Sequence, residues 1–166
     1  MSATPSDPGW RIELFAAEPA WEFVAFDPGA PPAVLPGAPG AIVLDGEGRA
    51  ALLHFAPGRW LALTLAPDAT ALASIGAAVD VTGKWQRLVL SGPRAARLLA
   101  STVDLAAVLR SRACAALELF DCPSILSALP GKDGMPAGYE VWVQASYLGQ
   151  FLDAATRTPL DAGRDL

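Results

Sequence analysis

The segment DVTGKWQRLVLSGPRAARLL, residues 80–99, decides how this chain is read. Thr82-Gly83 is a turn, Trp85 to Leu90 is an apolar strand, and Ser91-Gly92-Pro93 leads into a short Ala/Leu-rich helix. Proline at a first helical position gives up a donor that would be orphaned there anyway. Pro93 is therefore expected to begin the helix over 93–100, with Ser91 or Gly92 as its cap. The unit is rich in structural signals and carries almost no reactive side chains.

Further strands read outward from it. WRIELF (10–15) and WEFVAF (21–26) flank Pro19, and AIVL (41–44), RAALLHF (49–55) and WLALTL (60–65) follow as strand-sized apolar runs. CAALELF (114–120) and CPSILSAL (122–129) add two more. YEVWVQA (139–145) alternates strictly, with Tyr139, Val141, Val143 and Ala145 on one face and Glu140, Trp142 and Gln144 on the other. Between them lie short helices: a weak alanine-rich one from Pro67-Asp68 toward Gly76, and LAAVLR (105–110) capped by Asp104. A closing helix is expected to start at cap Ser146, with Tyr147, Leu148, Phe151, Leu152 and Ala155 on one side. Residues 27–40 hold five prolines and three glycines and must be loop. Their two PxxP spacings are better explained as a surface connector than as a recognition motif. The class is α+β, with mainly antiparallel sheets and short interspersed helices. Residues 1–156 read as a single globular domain and 157–166 as a loose tail.

Composition narrows the function classes. The 166 residues are 52% hydrophobic and 17% charged, which describes a well-buried globule. No apolar run approaches the ~18–20 residues of a membrane helix, and MSATPSDPGW has neither a basic nor an apolar leader region. A cytoplasmic protein without a membrane segment is expected. The net charge of −5, with Arg94, Arg97, Arg110 and Arg112 as the one local basic gathering, disfavours nucleic acid. Cys114 and Cys122 fit no zinc or redox spacing and read as buried small hydrophobes. A single histidine, His54, builds no histidine-rich metal site. On an apolar strand it reads as buried and satisfied by a neighbour.

Motifs for catalysis fail on inspection. Gly46, Gly48 and Ala51 form G-x-G-x-x-A, but Pro57 leaves no room for the helix that a dinucleotide fingerprint requires. An Asp-Gly hairpin explains the same letters. No nucleophile elbow or phosphate loop is present, and the carboxylate pairs Asp45/Glu47 and Asp161/Asp165 lie in turn or tail sequence. No catalytic or metal-binding residue can be named. Among five tryptophans, Trp142 beside Glu140 and Gln144 is the candidate for an exposed aromatic that anchors a partner or stacks on a ring. Equally, a helix covering that face would make it core.

Taken in order, PGRWLAL (57–63), VDVTGKWQRLVLSGPRAARLL (79–99), VDL (103–105), CAAL (114–117), YEVWV (139–143) and SYLGQFLDAA (146–155) resemble the gamma subunit of heterotetrameric sarcosine oxidase. More broadly they resemble the folate-binding fold of the glycine-cleavage aminomethyltransferases. The likeness covers roughly residues 35–155, with Thr82 where that family usually has serine. It implies two similar, interlocked β/α halves and a non-catalytic accessory role in an oxidative demethylase. It places FAD, FMN and NAD in large flavoprotein partner subunits, with no cofactor on this chain. Oxidation of sarcosine and one-carbon transfer to tetrahydrofolate would belong to those partners. A stand-alone folate or one-carbon binding protein, with tetrahydrofolate on the chain itself, is the alternative. A homo-oligomer is the alternative assembly.

Overall fold

Period-two alternation of apolar side chains puts two antiparallel sheets face to face in the computed structural model, which describes residues 9–27, 35, 40–44, 50–63, 75–110, 113–131 and 135–160. The strands are β1 (Arg11–Leu14), β2 (Ala20–Ala25), β3 (Ile42–Leu44), β4 (Ala50–Ala56), β5 (Arg59–Leu63), β6 (Gly76–Asp80), β7 (Trp85–Ser91), β8 (Cys114–Leu119), β9 (Cys122–Leu129) and β10 (Gly138–Gln144). The helices are α1 (Ala95–Ala100), α2 (Leu105–Leu109) and α3 (Leu148–Arg157), the last preceded by a 3-10 turn at Ala145–Tyr147. The first sheet runs β1-β7-β10-β9-β8 and the second β3-β4-β5-β2-β6. The N-terminal strand β1 thus joins the sheet otherwise made by the C-terminal half, which interlocks the two. The α+β class holds.

The two sheets bury three cores. On the helix side of the first sheet, Leu88, Leu90, Leu126, Tyr139, Val141 and Val143 pack against Ala95, Leu98 and Leu99 of α1 and Phe151 and Ala155 of α3. Between the sheets, Trp85, Cys114, Ile125 and Trp142 meet Ala20, Leu53, Phe55, Leu61 and Leu63. On the far side of the second sheet, Phe23, Ala25 and Trp60 form a smaller cluster with Leu35, Leu52, Ile75 and Ala78. At one corner the sheets are linked through the Gly40 carbonyl, which accepts from the N–H groups of Ala113 and Cys114 at 2.8 and 3.0 Å.

Within residues 80–99 the turn, strand and helix appear in the expected order. Lys84 N–H donates to Val81 O at 2.8 Å, and Gly83 at φ +81 fills the position that a type II turn reserves for glycine. The helix start differs from expectation. It begins at Ala95, with Arg94 as a cap position that uses no side chain. Pro93 lies in the turn before it. The reason is a close crossing: Gly92, at φ +106, lies against β1's approach, where an added Cβ would stand 2.8 Å from Gly9 O. Arg94 N–H donates to that same oxygen at 2.9 Å. Glycine is required here by contact with Gly9 and Trp10, just ahead of β1.

Other expectations are corrected by packing. Gly76–Asp80 is strand where the sequence pointed to the end of a helix; the rest of that expected helix, 67–74, lies outside the described residues. GAAVD has little strand propensity, but a Cβ on Gly76 would meet Phe23 Cζ at 2.3 Å, so the neighbouring ring selects this residue. Asp104 does cap α2, accepting from Ala107 N–H at 3.0 Å. Ser146 does not cap the closing helix, because the 3-10 turn intervenes and no side chain caps α3. Leu160 packs on the helix-side core, so the packed chain continues past 156. β3 and β4 pair antiparallel as the hairpin reading requires, while their turn, 45–49, lies outside the described residues. So do most of the proline-rich loop, Arg112 and the carboxylates Asp161 and Asp165.

Trp142 is 1% exposed and Tyr147 37%. Trp142→Ala is expected to lower unfolding free energy by ~3–5 kcal/mol, as for large core aromatics, and Tyr147→Ala by less than about 0.5 kcal/mol. Gly92→Ala should cost about 1–3 kcal/mol, because it combines a strained backbone with a backbone clash. Urea denaturation of the three variants measures all of these, and a Trp142 variant as stable as the Tyr147 one would contradict the packing described.

Candidate functional site

Glu140, Trp142 and Gln144 do share one face of β10, as alternation dictates, but that face is turned toward the second sheet. Trp142 is buried in the inter-sheet core beside Ile125 of β9 and Arg87 of β7, its cross-strand partners. The expectation of an exposed aromatic is therefore not met. The cover is a sheet, whereas the sequence offered helices as the covering element. Glu140 is also buried, at 2% exposure. Its Oε1 accepts from Arg87 Nε at 3.0 Å and from Arg87 Nη2. Arg87 Nη1 reaches Glu18 Oε1 at 3.4 Å, and the guanidinium lies 4.5 Å from the Phe15 ring centroid. A buried carboxylate is tolerated only with such partners, since an uncompensated charge in the core costs several kcal/mol.

A second carboxylate obeys the same rule from the opposite sheet. Glu22 of β2, buried between the sheets, accepts from Lys84 Nζ at 2.7 Å and from Arg59 Nη2. Each cation also lies near an aromatic ring: Lys84 Nζ is 5.4 Å from the Trp85 centroid and Arg59 Cζ 5.3 Å from that of Phe55. Burial alone would raise the Glu22 carboxyl, but the hydrogen bonds from Lys84 and Arg59 outweigh it and hold the group below the usual range. Gln144, half-buried, lines a small inter-sheet pocket of about 180 Å³ beside these two cations and Trp85. Thr82 ties the same end together: its Oγ1 accepts from Ala20 N–H at 3.1 Å, and its N–H donates to Asp80 Oδ1 at 2.9 Å.

The nucleophile candidates are quiet. Burial pushes the Cys114 thiol up to about 12, so it stays protonated, and its Sγ lies 3.6 Å from His54 O. Cys122 is raised by burial and by the neighbouring Asp121 charge. His54 is 1% exposed and stacks on Trp60, with centroids 4.2 Å apart and planes at 20°. Among the described residues no group of His, Cys, Asp and Glu is placed to hold a metal, and no helix is long and apolar enough to cross a membrane. The inter-sheet residues hold charges in fixed places, and of these Glu22 is kept ionised by its pairing with Lys84 and Arg59.

One opening on the helix side was not singled out from sequence. A groove of about 520 Å³ runs between α1 and α2, lined by Ala96, Arg97, Ala100, Val103, Leu105 and Leu109 among others, with Tyr139 also on it. Burial raises the Tyr139 phenol and keeps it neutral. The signal was present as Ala96 and Ala100 one turn apart on an exposed helix face. Small residues there leave space that larger ones would fill.

No protein-family model matches this sequence, and no curated protein matches it. Among solved structures, the chain is similar to a chain of heterotetrameric sarcosine oxidase from Corynebacterium sp. U-96, determined in complex with pyrrole 2-carboxylate. The superposition has a TM-score of 0.64 at 19% identity and covers 92% of this chain and 88% of that one. The two chains share a fold. Coverage on both sides is nearly complete, so the likeness extends well beyond a single hairpin.

The Glu22 pairing gives a pH signature. A carboxyl held low in the folded state adds stability above its unfolded value of 4.5, and that stability is lost as pH falls through the lower folded value. Glu22→Gln should therefore cost about 1–3 kcal/mol at pH 7, with the gap to wild type narrowing steadily below about pH 4. Urea midpoints at several pH values measure it; a gap independent of pH would contradict the pairing.

Proposed function

We propose that this chain is a non-catalytic accessory subunit of a sarcosine-oxidase-like complex, in the place of the gamma subunit. The single observation that carries the reading is the near end-to-end likeness to one chain of a heterotetrameric sarcosine oxidase. The motif series from Pro57 to Ala155 runs in the same direction. On this reading oxidative demethylation of sarcosine and transfer of the released carbon to tetrahydrofolate occur in partner subunits, which hold the flavins and NAD. This chain's part is to present a rigid, shaped surface. Its charged core residues are committed to one another, which suits a scaffold.

An apolar patch is available for such a partner. Val24, Phe26 and Val79 are 40%, 70% and 54% exposed along the edge of the second sheet, where β2 pairs with β6. Large exposed apolar side chains grouped in this way mark interaction surfaces. Co-expression with the large flavin-carrying subunits of a sarcosine-oxidase-like enzyme, followed by native mass spectrometry, tests the reading. The expected result is stoichiometric incorporation of this chain, reduced about tenfold or more by Phe26→Asp, which removes an anchor-sized contact. If the wild-type chain stays monomeric at micromolar concentration beside such subunits, the proposal fails. If Phe26→Asp incorporates as well as wild type, the patch assignment alone fails.

A further inference from the structure

The helix-side groove has the features of a small-molecule site, and we propose that it binds a monoanionic carboxylate carrying an apolar ring or short acyl chain. Four observations converge on that chemistry. The volume, about 520 Å³, falls within the ~300–1,000 Å³ typical of ligand pockets. The walls are apolar: Ala96 and Ala100 from α1, Val103, Leu105 and Leu109 from the turn and α2. Helix α2 has no buried residue of its own, so the apolar side chains it turns to the groove stay half-covered. A bound apolar body would complete that burial.

The polar groups then fix the sign of the ligand. Arg97 lines the groove half-buried, and its guanidinium takes part in none of the ion pairs among the described residues. Arg59 and Arg87, by contrast, are committed to buried carboxylates. Guanidinium recognises carboxylate through two parallel N–H donors. Asp104, also on the groove, has Oδ1 engaged by the Ala107 N–H that it caps and remains solvent-exposed at the rim. Tyr139, buried on the groove, offers a neutral hydroxyl. The site is therefore an apolar body space with the Arg97 cation and the neutral Tyr139 on its walls, and with the Asp104 carboxylate, one oxygen engaged by its own helix cap, at the exposed rim.

The inference goes beyond the subunit reading and is tested on the isolated chain, so the two can fail separately. The probe is 4-phenylbutyrate, titrated by calorimetry and by amide chemical shifts. The expected result is saturable binding with a dissociation constant below about 1 mM, with shifts confined to α1, α2 and the start of β10. Arg97→Gln and the neutral amide of the probe should each weaken binding about tenfold or more, as expected for loss of a charge-assisted hydrogen bond. Ala100→Phe fills the groove from an exposed helix position and should abolish binding while circular dichroism and the melting midpoint stay unchanged. Asp104→Asn keeps the cap, since asparagine caps as well as aspartate, and should leave affinity equal or higher. No saturable binding at about 10 mM probe, wild-type affinity in both Arg97→Gln and Ala100→Phe, or weaker binding in Asp104→Asn would each overturn the assignment. Loss of subunit assembly in Ala100→Phe without any probe binding by wild type would overturn it too, and make the groove a protein contact.

Discussion

Strand β10 is buried on both faces, and the rest of the structure follows from that constraint. Tyr139, Val141 and Val143 must be covered by helices, while Trp142 must be covered by a second sheet. A five-stranded sheet with one wet face would leave Trp142 in water, at a loss of several kcal/mol for so large an apolar side chain. The second sheet answers this with Leu53, Phe55, Leu61 and Leu63. Once two sheets are pressed together, any charge on the facing surfaces loses its water. Glu22 and Glu140 are accordingly held by Lys84, Arg59 and Arg87 in fixed geometry. The buried ion pairs are consequences of the sandwich, and their strength depends on both partners staying in place.

Much of this architecture was legible in the chain because local signals agreed with tertiary ones. β9 is Cys122–Leu129, the segment the apolar run marked, and Asp104 caps the helix it was expected to cap. The failures share a cause: contacts distant in sequence decided them. Gly76–Asp80 is strand because it pairs with β2, and α1 starts late because the Gly9–Trp10 segment ahead of β1 crosses at Gly92. The hairpin between β8 and β9 turns on Phe120 and Asp121, both at positive φ (52 and 58) without a glycine. That conformation is strained for such residues. It places the Phe120 ring edge-on to Phe151 at 5.2 Å, a compensation that no local pattern announces.

The candidate site was legible only in part. The alternation in YEVWVQA correctly set Glu140, Trp142 and Gln144 on one face, but the sequence left that face open between solvent and a covering helix, and the cover is a sheet. Burial of its glutamate makes sense only once Arg87 is seen across the strand. The helix-side groove escaped notice for the opposite reason. Its walls are mostly alanine, valine and leucine, and the one trace in the sequence, Ala96 and Ala100 a turn apart, carries no reactive chemistry. The proposed assembly role starts from a shared fold at 19% identity, and the proposed groove ligand from geometry.

Native-state hydrogen exchange tests most directly whether the inter-sheet core welds the two sheets together. The packing of Trp85 and Trp142 against Leu53 and Leu61 predicts that amides of Val141 and Val143 in one sheet and of Leu61 in the other exchange through the same global opening. They should share one free energy and fall together when Trp142 is truncated. Exchange in the second sheet at a free energy lower by more than about 2 kcal/mol, unmoved by Trp142→Ala, would show two independently opening sheets and contradict the account.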